Sequence, residues 1–178
     1  DMELLEWLEV NTFPEEAKFE DTDYARKAYR IFVDSMKKSA TTRACVFATV
    51  HRPATLLLMD LLEESGLDTF VGKVNMDRNC PEYIQEETQE SAEETVEWIK
   101  DVLHRKYTGT HPILTPRFIP SCTDDLMEEL KKIQIRYSLP LQSHLSENPS
   151  EIAWVKELCP WSEFYGDAYD RFGLFGAD

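Results

Sequence analysis

Pro140-Leu141-Gln142-Ser143-His144-Leu145-Ser146-Glu147-Asn148 reads as a short buried strand that stops at a histidine and turns through a polar loop into a new helix. Asn148 suits the cap of that helix, Pro149 suits its first turn, and Glu151 falls at its third position. His144 therefore stands where a strand ends and a helix begins, the edge at which parallel α/β proteins bind ligands. Glu147, three residues on, is close enough to share a pocket with the imidazole. Such a pair serves either as a metal ligand with a proton shuttle or as a general acid/base pair.

The same alternation extends outward through the chain. Helices are expected at 22–38, at 53–65 with Gly66 ending it, from the capping-box-like Ser91-Ala92-Glu93-Glu94 to about residue 106, at 123–137 and at 149–158. Strands are expected at 44–50, 69–76, 112–118 and 139–144. Strict strand–helix alternation predicts a parallel sheet with right-handed crossovers. Each strand ends in a residue that a purely structural core would not select: His51, then Asn75 and Asp77, then Arg117, then His144. In a parallel βα fold these ends share one rim, so the groups should converge. Four units are too few for a closed eight-stranded barrel of about 250 residues, and they would leave two unpaired edges and an uncovered inner face. The alternative is a small open doubly wound sheet. Neither G-x-G-x-x-G nor a Walker motif occurs, and six glycines argue against nucleotide-phosphate binding.

Composition narrows the partners. At 178 residues the chain can build one domain with a sizeable core, and 42% hydrophobic with 30% charged residues is ordinary for a soluble protein. A formal charge of −15 argues against a nucleic-acid backbone as partner; the acidic run 82–97 reads as a solvated helix face. No apolar run approaches the roughly 20 residues of a membrane span. No signal peptide is visible, although the chain opens at Asp1. Cys45, Cys80, Cys122 and Cys159 form no C-x-x-C pair, so reduced thiols in a cytoplasmic protein are expected. The H-x-E and P-C-x-x-C signature of cytidine-type deaminases and the G-x-S-x-G elbow of serine hydrolases are both missing. His104, in a charged helix, and His111, at the opposite rim, read as structural. His51 either supports the site from behind or packs and caps. Met36, Met59, Met127 and Trp154 fit helical core stripes.

Several segments run in order between about residues 4 and 174. They are Glu6-Trp7-Leu8 with Asn11-Thr12-Phe13-Pro14-Glu15, Phe47-Ala48-Thr49-Val50-His51, Val71-Gly72-Lys73-Val74-Asn75-Met76-Asp77, Thr115-Pro116-Arg117-Phe118 and Gln142-Ser143-His144-Leu145-Ser146-Glu147-Asn148. Together they resemble the zinc-dependent guanine deaminases of the amidohydrolase superfamily, with T-P-R-F and Q-S-H-x-S-E-N the most specific. The resemblance implies an α/β fold, part of a (β/α)8 TIM barrel of the metal-dependent amidohydrolase type. Residues 1–178 would be a single catalytic-barrel portion supplying roughly strands two to five. It implies hydrolytic deamination of guanine to xanthine and ammonia in purine catabolism, one Zn2+ per complete active site, and a homodimer in the complete enzyme. By the same resemblance His144 is a zinc ligand beside the substrate, and Glu147 contacts substrate and shuttles protons. Arg117 and Phe118 are the purine-binding pair, the guanidinium meeting the polar edge and the ring lying against the base or its pocket wall. These residue types suit the chemistry. Zinc lowers the pKa of its water to about 7, a carboxylate moves the proton to the ring nitrogen and leaving ammonia, and arginine bridges guanine's adjacent carbonyl and N7 acceptors.

The departures define the alternatives. The His-x-His pair expected after strand one does not occur, and the later histidine and aspartate ligands belong to strands beyond those represented. Ala40 stands where the family has glycine, Arg43 replaces a small polar residue, and Phe175-Gly176-Ala177-Asp178 leaves the pattern where a strand should start. The chain is expected to be an interior portion without a complete metal site of its own. Two other readings stay open: an amidohydrolase acting on another amino-substituted heterocycle, and a non-catalytic half-barrel interaction module.

Overall fold

The computed structural model describes residues 3–174; the segment Phe175-Gly176-Ala177-Asp178 lies outside them. An N-terminal stretch of short helical turns, α1 (Leu4–Trp7), a π-turn (Leu8–Thr12) and α2 (Phe13–Ala17), leads into α3 (Thr22–Lys37). The Asp21 carboxylate caps α3 by accepting from the Asp23 and Tyr24 amides. There follow β1 (Arg43–Phe47), α4 (Arg52–Ser65), β2 (Asp68–Gly72), β3 (Val74–Asn75), α5 (Thr88–Arg105), β4 (Thr110–Pro112), β5 (Thr115–Pro116), α6 (Asp124–Tyr137), α7 (Pro149–Leu158) and α8 (Tyr165–Asp170).

The strands are parallel and lie side by side in the order the chain makes them, β1-β2-β4 and β3-β5. A doubly wound sheet reverses strand order at a switch point; this one does not, so it is an arc of a (β/α)8 barrel. Val71 and Leu114 pack into a core with Leu58, Met59, Trp98, Leu126 and Met127 from the helices. Met36 packs partly against that core and Trp154 is half-buried, whereas Met59 and Met127 are fully buried. On the opposite, inner face Cys45 is exposed and the Phe70 and His111 rings meet at 5.2 Å. Among the described residues no helix is long and apolar enough to cross a membrane.

Two expected strands are interrupted. The 69–76 strand breaks at Lys73 and the 112–118 strand at Ile113–Leu114. Gly72 allows these neighbours to approach, since a Cβ there would stand 1.7 Å from Thr115 Oγ1 and 2.6 Å from the Ile113 carbonyl. The next residue, Lys73, is buried and donates to Glu86 at 2.5 Å. The expected 139–144 strand reduces to one bridge, Leu114↔Leu141. It still runs alongside its neighbour through Leu114 N–Pro140 O, Gln142 N–Leu114 O and His144 N–Arg117 O bonds. Pro140 has no N–H to offer a ladder, and the segment is an edge.

The helices match their signals more closely. Gly66 ends α4 at φ +76°, Thr123 caps α6, and Asn148 with Glu151 forms a reciprocal capping box on α7. The α5 start differs: the helix opens at Thr88, and Ser91 lies buried in its first turn. Its hydroxyl donates to Glu86 and accepts from Asn75 instead of capping. A second small core, Phe13, Val50, Val74, Met76 and Ile84, seats the N-terminal stretch on the rim of the arc.

Candidate functional site

His144 is fixed through its backbone and its ring. Its amide donates to the Arg117 carbonyl at 3.2 Å, and its ring Nδ1 lies 2.7 Å from the same oxygen. A carbonyl only accepts, so Nδ1 carries the proton and Nε2 presents a lone pair, the tautomer a metal-ligating histidine needs. The Phe47 ring packs 4.4 Å from the imidazole. The His144 carbonyl accepts from the Tyr169 hydroxyl at 2.7 Å. Beyond it, Glu151 accepts from the Glu147 and Asn148 amides at 2.8 and 3.2 Å and from the Tyr165 hydroxyl at 2.5 Å.

Arg117 sits at the end of the neighbouring strand segment. Its Nη1 donates to Glu16 Oε2 at 2.6 Å and its guanidinium lies 5.1 Å from the centre of the Phe13 ring. The two charged side chains are only 12% and 9% exposed, so water screens the pair weakly. Arg117 and His144 line one cavity of about 660 Å3, within the range of about 300–1,000 Å3 usual for small-molecule sites. Phe47, Thr49 and Val74 belong to its strand side, and Trp7, Thr12 and Glu16 to the wall made by the N-terminal stretch.

Convergence of all the strand ends is not what the structure has. Phe118 is 5% exposed and does not line the cavity. Glu147 is exposed on the loop after His144, also outside the lining. Asn75 is turned into the helix layer, donating to Ser91 and Thr95. Asp77 accepts from Thr88 at the start of α5 and from the amide and hydroxyl of Thr123 at the start of α6, where helix dipoles favour a carboxylate. His51 faces a separate cavity of about 280 Å3 beside Glu86, Glu90 and Glu94, and burial lowers its pKa. Side-chain alternation sends Phe118 to the side opposite its neighbour Arg117, while His51, Asp77 and Glu147 lie beyond the strands in loops and helix starts.

A zinc ion takes at least three protein ligands. The Nε2 lone pair of His144 fits a ligand role, while among the described residues no group of three or more His, Cys, Asp or Glu could hold a metal. The described residues therefore do not by themselves make a complete metal site. Sequence reasoning assigned no role to Glu16, Tyr165 or Tyr169. Glu16 lies just beyond the family-like segment Asn11-Thr12-Phe13-Pro14-Glu15, and its partner lies 101 residues away.

Comparison with known proteins follows the same outline. The chain superimposes on the guanine deaminase from C. acetobutylicum with bound guanine in its active site at a TM-score of 0.94 and 49% identity, over 99% of this chain and 42% of that one. It is 43% identical to the guanine deaminase of Dictyostelium discoideum over 174 residues, 98% of this chain and 39% of that protein. With the guanine deaminase of Pongo abelii it shares 45% over 176 residues, 98% and 38% of the two chains. The chain thus spans about two fifths of the length of the curated relatives it matches. Residues 1–176 match the Amidohydrolase family along nearly the whole sequence, and to that family the chain belongs.

Proposed function

We propose that the full-length protein carrying this chain hydrolyses guanine to xanthine and ammonia. The carrying observation is that Arg117 and His144 line a single cavity in a chain 49% identical to a guanine-bound deaminase. Arg117 binds the acceptor edge of the base, since its planar fork matches guanine's carbonyl and N7 and would meet a donor on adenine. His144, with Nδ1 held by the Arg117 carbonyl, offers Nε2 to Zn2+. Zinc, when bound, supplies the Lewis acidity that makes water a nucleophile at neutral pH. Glu147 takes the proton released by the attacking water and returns it to the ring nitrogen and the departing ammonia. Phe118, buried and outside the cavity lining, supports the pocket from behind instead of touching the base. A homodimeric, cytoplasmic enzyme of purine catabolism is the assembly and setting we assign to it.

The test is turnover of guanine, adenine and an aminotriazine by the full-length protein, with zinc measured on the same sample. Guanine should be preferred by at least about 10²-fold. Preference for either other substrate would move the assignment to another amidohydrolase activity, and absence of both zinc and ammonia release would leave a non-catalytic role.

A further inference from the structure

We infer that Tyr165 and Tyr169 are positioning residues with divided labour: Tyr169 holds the metal-ligand end of the 144–148 loop, and Tyr165 holds its proton-shuttle end. The inference rests on the function proposed above.

Both tyrosines belong to α8, a helix of six residues that otherwise touches nothing in the cavity. They are one turn apart, their rings stack at 5.9 Å with an interplanar angle of 7°, and both are buried. A phenol hydroxyl is protonated at neutral pH, so each can donate. The two hydroxyls also interact with each other, but their donations to the loop go to different acceptors. Tyr169 donates to the His144 carbonyl, and the one proton of the Ser143 hydroxyl serves either the Tyr169 oxygen or the Pro116 carbonyl, both 2.7 Å away. This ties His144 to the strand that carries Arg117. Tyr165 donates to Glu151 Oε1, while Glu151 Oε2 receives the Glu147 and Asn148 amides. Glu151 is fully buried, so its carboxylate depends on these donors. Removing the Tyr165 hydroxyl loosens the carboxylate on which the Glu147 backbone hangs. Groups one step removed from a metal ligand typically change affinity or activity by about 10- to 100-fold when removed.

The experiment compares Tyr165→Phe, Tyr169→Phe and Glu151→Gln in the full-length zinc-loaded protein. Three readouts are taken: zinc release into a chromogenic chelator, kcat and KM for guanine, and the urea midpoint. Tyr169→Phe should speed zinc release about tenfold. Tyr165→Phe should leave zinc release within about twofold of the parent and lower kcat about tenfold at unchanged KM. Glu151→Gln should follow Tyr165→Phe, which keeps that arm readable if one variant folds poorly. If both tyrosine variants lower the urea midpoint alike and shift zinc release and kcat together, or shift neither, the division of labour is wrong. A parent protein that neither holds zinc nor releases ammonia from guanine would instead overturn the functional proposal, leaving the bonds of α8 without a reaction to position.

Discussion

The Phe47 ring and the His144 imidazole meet at 4.4 Å between centroids, 44° apart in plane, joining the first strand of the arc to the last. One layer below, Gln142 Nε2 donates to the Val46 carbonyl at 3.1 Å and to Thr115 Oγ1 at 3.0 Å. Strands that are not neighbours are thus bridged across the interior at two levels, as in a barrel filled by inward side chains. His144 is held by packing on one side and by the Arg117 carbonyl on the other.

Phe47→Ala should therefore weaken zinc retention in the full-length protein by about tenfold, the lower end of the effect of outer groups on a metal ligand. Phe47→Leu should recover most of the loss, because it restores an apolar wall of similar reach. Competition against a chelator of known affinity measures both, and equal affinity in parent and alanine variant would show the ring contact to be idle.

Arg117→Lys should not restore function. Lysine is a point charge without the planar fork, and losing a charge-assisted hydrogen bond costs about 1.5–3 kcal/mol in transition-state binding. That corresponds to roughly tenfold to a few hundredfold in kcat/KM, with zinc content unchanged. Steady-state kinetics on guanine and adenine decide it: full activity in the lysine variant, or equal use of adenine by the parent, would reduce Arg117 to the Glu16 ion pair alone.

Glu147→Gln keeps size and removes proton transfer. Turnover should fall by at least roughly 10²-fold, while zinc stays bound. Zinc loss without a specific loss of chemistry, read by metal analysis beside single-turnover rates, would make Glu147 a structural loop residue.

Glu63 sets an acid limb of stability away from the site. The Thr108 amide binds its carboxylate first, followed by the Thr108 hydroxyl and the Gly109 and Thr110 amides, and together they hold its pKa down to about 2. The unfolded value is about 4.3, so the folded pKa is depressed. Its stabilisation is complete above that value and is lost as pH falls toward about 2. Urea midpoints measured from pH 6 to pH 2 should fall more steeply in the parent than in Glu63→Gln, and parallel curves would refute the linkage.

Local signals were legible where a single residue type decides the outcome. Gly66, Thr123 and Asn148 marked helix ends because left-handed φ and orphan amides select those side chains. Alternation of strand and helix pointed to a parallel sheet, the barrel arc came only from the family resemblance, and His144 and Arg117 were placed at strand ends that do meet in one cavity. The strand breaks were not legible, because they depend on Gly72 and Thr115 approaching from separate units. Ser91 carried a capping pattern, but Asn75 and Glu86 compete for its hydroxyl. Glu151 could be read as a helix-start carboxylate, whereas its bond to Tyr165 belongs to a helix that no periodicity announced. The N-terminal stretch was legible as family-like sequence but not as a cavity wall, because its turns are short and its partners are distant.

That wall has a consequence in time. Glu16 and Arg117 are separated by 101 positions, and a ribosome extends a chain at about 5–20 residues per second. Glu16 therefore leaves the ribosome roughly 5 to 20 seconds before the cation that neutralises it exists. Through that interval Phe13 can pack on Val50, Val74, Met76 and Ile84 as they are made, but it has no Arg117 over its ring. The cavity wall is synthesised before the strand ends it closes against, so this cavity completes only once the chain has passed both Arg117 and His144.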